Sequence, residues 1–252
     1  MSVSLATRSN LSRVEMDLRV QLAAAYRIAD LLGWSELIYT HISARIPGRE
    51  HHFLINPYGL AFDEVTASNL VRVDAEGNTL GESKHKANKA GFIIHSAIHA
   101  ARPDAGCVWH MHTLAGMAVS AQEEGLQPAH MYSHNFWQRL SYHEFEGPAM
   151  RLDEQSRLQA SLGPKNQAII LRNHGLLTLG ETIPEAFIRF WRLNRACEVQ
   201  LAAQSSKLHL PSAEVCEASY QMGEEFLVDQ GELGKLEFDA LVRKLPDDSY
   251  KS

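Results

Sequence analysis

The sequence predicts an α/β or α+β domain in which helices cover a sheet. Short apolar runs closed by Gly, Pro or Asn alternate with longer stretches at helical spacing, and no break in composition divides the chain. With 252 residues, 45% hydrophobic and 21% charged, there is material for a sizeable core. Residues 12–252 therefore read as one domain behind a disordered, Ser-rich tail at residues 1–11.

From Val14 to Leu32 the apolar residues Leu18, Leu22, Ala25 and Leu32 follow helical spacing, and Gly33 supplies the stop. Thr40–Ile46 and His52–Asn56 read as strands, the second closed by Pro57-Tyr58-Gly59; Val71–Asp74 is a short strand before Glu76-Gly77-Asn78. Residues 88–101 read as a helix with Phe92, His95, Ile98 and His99 near one face, and Pro103 blocks its continuation. Residues 106–112 form a strand and residues 113–122 a returning helix. Residues 123–150, rich in His and aromatic residues, read as irregular: either a site-lining loop or a surface connection. Gln167–Arg172 and Leu176–Leu179 are strands on either side of Asn173-His174-Gly175. Thr182-Ile183-Pro184-Glu185 has capping-box spacing and opens a helix to about Ser206, with Ala186, Phe187, Phe190, Leu193 and Cys197 on its apolar face. Residues 212–228 and 235–244 read as further helices.

Charge and composition exclude several roles. A net charge of −6 without a basic stripe argues against nucleic-acid binding. No run approaches the roughly eighteen apolar residues of a membrane span, and no N-terminal apolar leader core is visible. Cys107, Cys197 and Cys216 are too scattered for a disulfide framework and fit a reducing compartment, so a cytoplasmic location is expected.

The chemistry concentrates on histidine. His110 and His112 stand two residues apart in Cys107-Val108-Trp109-His110-Met111-His112-Thr113. On a strand such positions share a face, about 7 Å apart at the Cα level. His174 follows the apolar run Ile169-Ile170-Leu171, where a strand opens into a turn. A lone histidine beside apolar residues is more often a hydrogen-bonded core residue than a ligand. Three converging imidazoles, however, would leave a tetrahedral Zn²⁺ one open position, the arrangement of a catalytic site. Such a set does not discriminate Zn²⁺ from Mn²⁺ or Fe²⁺.

These stretches resemble the class II aldolase/adducin family. The resemblance covers roughly residues 15–205 and is carried by His95-Ser96-Ala97-Ile98-His99-Ala100-Ala101-Arg102-Pro103-Asp104, the strand with His110 and His112, and Arg172-Asn173-His174-Gly175. It implies a three-layer α/β/α domain around a mainly antiparallel sheet. It also implies zinc on His110, His112 and His174, and a homotetramer with sites between subunits. Three departures matter. Gly91 stands where the aldolases carry a catalytic Glu. His41, in Thr40-His41-Ile42-Ser43, replaces the Asn of their phosphate-cradling turn. Tyr58-Gly59 replaces their Thr-Gly phosphate loop. The chain is thereby nearer to the adducin head domain, whose Ile-Tyr-x-His-Ile, Ala-Gly-Phe and Arg-Asn-His-Gly stretches are similar. The lysine-rich adducin tail has no counterpart in this sequence.

Aldol cleavage needs an electron sink, which a metal supplies, and a base, which a Glu usually supplies. Candidate replacement bases are His41, His95, His134 and Tyr132. Each has a plainer reading: His95 as a structural or outer-shell residue, His41 as a bonded strand residue, Tyr132 and His134 as lining of a loop. Tyr58, Gly59 and His134 are candidate substrate-binding residues. Two functions remain open. One is a zinc-dependent carbon–carbon lyase, by aldol cleavage or decarboxylation, acting on a small non-phosphorylated oxo- or hydroxy-compound. The other is a non-catalytic adducin-like module that binds actin or a cytoskeletal partner. Arg102-Pro103-Asp104 is expected to end its helix, with Asp104 accepting backbone N–H bonds, rather than do chemistry.

Overall fold

The computed structural model describes residues 13–48, 51–148, 151–203, 207–229 and 231–252. The tail expected at residues 1–11 and the expected helix end at Ser206 lie outside them. The strands are β1 (His41–Arg45), β2 (Phe53–Ile55), β3 (Val71–Val73), β4 (Cys107–Met111), β5 (Leu140–His143), β6 (Ala168–Leu171) and β7 (Gly175–Gly180). They form one seven-stranded sheet in the order β3-β2-β1-β4-β7-β6-β5. Among the described residues only β5 and β6 pair in parallel; the other neighbours are antiparallel.

The helices are α1 (Arg13–Leu31), α2 (Lys89–Ala101), α3 (Leu114–Ser120), α4 (Met131–His134), α5 (Glu154–Leu162), α6 (Ile183–Ala203), α7 (Ala213–Asp229) and α8 (Lys235–Val242). They sit on both faces of the sheet. On one face Leu22, Tyr26 and Ile28 of α1 and Phe187, Phe190 and Leu193 of α6 pack with Ile42, Trp109 and Leu176. On the other, Ile93, Ala97 and Ile98 of α2 and Leu158 and Leu162 of α5 pack with Val108, Ile169, Leu177 and Leu179. This is the three-layer α/β/α arrangement that the family resemblance implies.

The pleat of β4 follows from its sequence. Cys107, Trp109 and Met111 point into the first layer, where Trp109 stacks on Phe190 and meets Phe187. Val108 and His110 point to the opposite face. In β1 the same alternation sends Ile42 and Ala44 inward to α1 and His41 and Ser43 toward α2. The register pairs His41 with His110 and Ser43 with Val108, so His41 and His110 are side-by-side neighbours on one face.

Local signals act as expected at two helix ends. Gly33 adopts φ +69° after α1, and the Trp34 N–H reaches back 2.9 Å to the Ala29 carbonyl. At the start of α6 the Thr182 hydroxyl accepts the Glu185 N–H at 3.3 Å, while the Glu185 carboxylate accepts from Glu181, one residue before the usual partner.

Residues 123–150 are not wholly irregular. They contain α4 and the edge strand β5. β5 reads Leu-Ser-Tyr-His and only His143 in it is buried, so it lacks the apolar run that marks a strand. α5, which the sequence reading leaves unassigned, has only Leu158 and Leu162 as buried apolar residues and is equally weakly patterned.

Candidate metal centre

His110 is on β4, and His112 lies just beyond its last residue, Met111. His174 sits in the turn Arg172-Asn173-His174 between β6 and β7. Asn173 takes the left-handed conformation that this tight turn requires (φ 55°), which Asn tolerates better than most residues. Gly175 lets the turn close against β4: a Cβ there would lie 2.7 Å from the Met111 carbonyl oxygen and 3.1 Å from Cδ2 of His112.

The three rings converge. Their centroids are 4.9 Å apart for His110–His112, 4.9 Å for His110–His174 and 4.7 Å for His112–His174. One nitrogen from each lies within 4.8 Å of the others, the spacing of a group able to hold a metal ion. Two outer hydrogen bonds orient the set. Nδ1 of His110 faces the Leu176 carbonyl at 2.9 Å, and Nδ1 of His112 faces the Glu36 carboxylate at 2.6 Å. Neither oxygen can donate, so both rings carry their hydrogen on Nδ1. Their Nε2 atoms then face one another across 3.1 Å. In neutral rings two lone pairs at that distance repel unless a cation lies between them, so the donor set fits a divalent ion held through Nε2. Burial, with His174 and His112 next, holds His110 well below the ordinary imidazole range. Burial followed by His112 lowers His174 to about 4. Both rings are therefore neutral at pH 7, the state in which imidazole binds a metal.

Glu36 is a residue that sequence reasoning missed. It lies 76 residues from His112, and no motif marks it. The only signal was the general habit of ligating histidines to lean on a carboxylate. The backbone is left-handed at Leu37 (φ 53°) and Thr40 (φ 65°), a rare conformation for such residues, within the short segment from Glu36 to His41.

His41 lies beside the cluster, its ring 5.2 Å from that of His110. It fills the space that a side chain at residue 91 would take: a Cβ on Gly91 would stand 2.4 Å from Cδ2 of His41 and 2.7 Å from its Nε2. The two departures from the aldolase pattern, His41 and Gly91, are thus spatially one change. His95 backs His41, with Nε2 2.8 Å from Nδ1 of His41. Burial, followed by the ring of His95, holds His41 well below the ordinary range, and burial followed by the ring of His99 does the same for His95.

The remaining sequence candidates lie apart from this cluster. Tyr132 packs edge-on against Trp191 and beside His130. His134 is buried, with Nε2 3.2 Å from the Pro128 carbonyl and Nδ1 3.1 Å from the Ser219 hydroxyl, pinning α4 to α7. Tyr58 is half-exposed in its turn, and Gly59 adopts φ +100° with open space around it. Among the described residues, no hydrogen bond or ring contact joins any of these four to the three histidines. Asp104 receives the Arg102 guanidinium at 2.8 and 2.6 Å, so a side chain is its main partner. The same Arg102 donates to the Asn166 carbonyl at 2.7 Å and so ties the end of α2 to the loop before β6.

Residues 20–201 match the family described as Class II Aldolase and Adducin N-terminal domain. A Pseudomonas aeruginosa protein provisionally named as a class 2 aldolase protein is 47% identical over 247 residues, covering 97% of this chain and 95% of that protein. The crystal structure of an aldolase II superfamily protein from Pseudomonas syringae is 43% identical with a TM-score of 0.90, covering 98% of this chain and 100% of that one. Rat alpha-adducin is 41% identical over 248 residues, which are 93% of this chain but 34% of adducin.

Proposed function

The chain belongs to the class II aldolase and adducin family, and on that premise we propose that it is a divalent-metal-dependent carbon–carbon lyase. The substrate in this reading is a small, non-phosphorylated oxo- or hydroxy-compound, cleaved as an aldol or decarboxylated. The observation that carries it is the convergence of three imidazoles, with Nε2 of His110 and Nε2 of His112 3.1 Å apart, each ring anchored through Nδ1, and His174 alongside. Those three residues hold the ion. We take zinc as the resident ion, with Mn²⁺ or Fe²⁺ as the substitutes the same donors accept. Zinc, when bound, supplies positive charge that stabilises negative charge developing on a substrate oxygen.

The residues around the ion divide the rest of the work. Glu36 and the Leu176 carbonyl fix the tautomers and ring planes of His112 and His110. His41 stands in for the absent carboxylate: its Nε2 takes the proton of the substrate hydroxyl in aldol cleavage, and its neutral ring tolerates a substrate carboxylate that a Glu would repel. Decarboxylation makes lighter demands, because loss of CO₂ requires the electron sink but no prior proton abstraction. Tyr132, Tyr58, Gly59, His134 and His95 are secondary in this scheme, since only His95 is bonded to the cluster's neighbourhood. We further read residues 12–252 as one domain, the assembly as a homotetramer and the location as cytoplasmic, in keeping with three buried, unpaired cysteines. No described helix is long and apolar enough to cross a membrane.

Metal analysis of the purified protein and turnover of a panel of keto acids and sugar aldols test the proposal. Stoichiometric metal with turnover that His110→Ala abolishes is expected; no bound ion, or no turnover above that variant, overturns it. The second reading, an adducin-like binding module, is favoured by Gly91 and by the likeness to alpha-adducin, of which the chain spans about a third. Co-sedimentation with actin filaments, combined with an empty substrate panel, would select it.

A further inference from the structure

Beneath the sheet a hydrogen-bonded chain runs from a backbone carbonyl to His41. Nδ1 of His99 lies 2.8 Å from the Ala105 oxygen, and Nε2 of His99 lies 2.7 Å from the Ser43 hydroxyl. That hydroxyl is 2.6 Å from Nδ1 of His95, whose Nε2 is 2.8 Å from Nδ1 of His41. All four side chains are buried, with no more than 5% exposure. His99 is fixed further by the ring of Phe53, stacked on it at 4.4 Å.

The direction of every bond in this chain is forced from its far end. A carbonyl only accepts, so His99 carries its hydrogen on Nδ1 and offers a lone pair on Nε2. Ser43 must give its single hydroxyl hydrogen to that lone pair. Its oxygen then accepts from Nδ1–H of His95. His95 is left with a lone pair on Nε2, and His41 must donate to it from Nδ1–H. His41 therefore presents Nε2 as a lone pair. Among the described residues that nitrogen has no hydrogen-bond partner, and it lies over Gly91, beside the ring of His110. A proton acceptor at this place needs that tautomer; the other would present an N–H.

We propose that Ser43 and His99 are positioning residues that select the tautomer of His41 through His95 and hold its Nε2 as an acceptor beside the metal centre. This rests on the reading of His41 as the base, but the tautomer itself is measurable without turnover. The distances also explain why serine suits position 43: its hydroxyl donates once and accepts once, as a relay between two imidazoles requires.

Nitrogen-15 NMR of the imidazole rings tests the proposal, with His41→Asn used to assign the His41 signals. In the zinc-loaded wild-type protein His41 should be a single Nδ1–H tautomer. Ser43→Ala should bind zinc with unchanged stoichiometry yet show His41 as a mixture of tautomers. Ser43→Thr, which keeps the hydroxyl, should restore the single form. Where a substrate has been found, kcat of Ser43→Ala should fall about 10–100-fold with KM little changed, the usual scale for loss of an outer hydrogen-bond partner, and Ser43→Thr should recover it. A wild-type His41 protonated on Nε2 overturns the proposal even if the alanine variant does not fold. An unchanged single tautomer in Ser43→Ala overturns it as well. A correct tautomer series in a protein with no turnover would leave this inference standing and remove only the lyase reading.

Discussion

Gly91 and His41 share one volume: the ring of His41 occupies the position into which any side chain at residue 91 would project. In an unobstructed helix, alanine is favoured over glycine by about 1 kcal/mol. Here the 2.4 Å approach to the ring reverses the sign. Gly91→Ala should destabilise the chain by about 1–3 kcal/mol, the usual scale of overpacking. In a His41→Asn background the same change should cost far less. Urea denaturation of the four proteins of this cycle gives the coupling energy, and additivity of the two changes would mean that the residues do not compete for space.

Glu36 should matter to metal affinity more than to folding. Its carboxylate holds the His112 tautomer at 2.6 Å yet remains 40% exposed. Glu36→Ala is expected to weaken zinc binding about 10–100-fold. Removing the ion with a chelator should lower thermal stability, by about 2.7 kcal/mol where free metal had stood at a hundred times its dissociation constant. Competition with a chromogenic chelator and a melting curve measure the two effects. Equal zinc affinity in Glu36→Ala and the wild type would remove the carboxylate from the outer shell.

His99 gives the fold an acid-sensitive element outside the metal cluster. Burial lowers it to about 3, whereas the unfolded residue titrates near its ordinary 6.5. Below pH 6.5 the unfolded chain takes up a proton that the folded chain refuses. Its contribution is therefore complete above pH 6.5 and is lost as pH falls toward 3, with a limiting slope of about 1.4 kcal/mol per pH unit. Denaturation at pH 7.5, 6 and 5 should show this decline, less steep in His99→Gln. Identical slopes in the two proteins would contradict the assignment.

Asp104 should prove a fastening rather than a chemical group. Its partner Arg102 is buried, but the carboxylate itself is 45% exposed, which discounts the ion pair. Asp104→Asn is expected to cost about 0.5–1 kcal/mol and to leave metal content and turnover unchanged. Arg102→Ala, which also frees the Asn166 carbonyl, should cost about 2–4 kcal/mol. Loss of activity in a folded, metal-loaded Asp104→Asn protein would assign it a different role.

Much of this was legible in the sequence because periodicity is local. The alternation around His110 and the Asn-His-Gly turn announced both the strand pair and the three rings they bring together. The family resemblance correctly implied the layers and the mainly antiparallel sheet. β5 and α5 stayed hidden because their buried apolar residues are too few to set a period. Glu36 stayed hidden because nothing local links it to His112. His41 and Gly91 were visible only as two separate departures; they became one substitution when the sheet register set β1 beside β4 and beneath α2. Ser43 was visible only as the end of the stretch Thr40-His41-Ile42-Ser43 and was given no role, since its partners lie 52 and 56 residues away.

The alternation along β4 also proofreads the assembly of the sheet. Shifting that strand by a single residue would thrust His110 among Phe187 and Phe190 and turn Trp109 into the opposite layer, already filled by Ile98, Leu177 and the His41–His95 pair. Misaligned pairing would thus be penalised on both surfaces at once, so the alternation that brings the three imidazoles together also helps select the one alignment in which they meet.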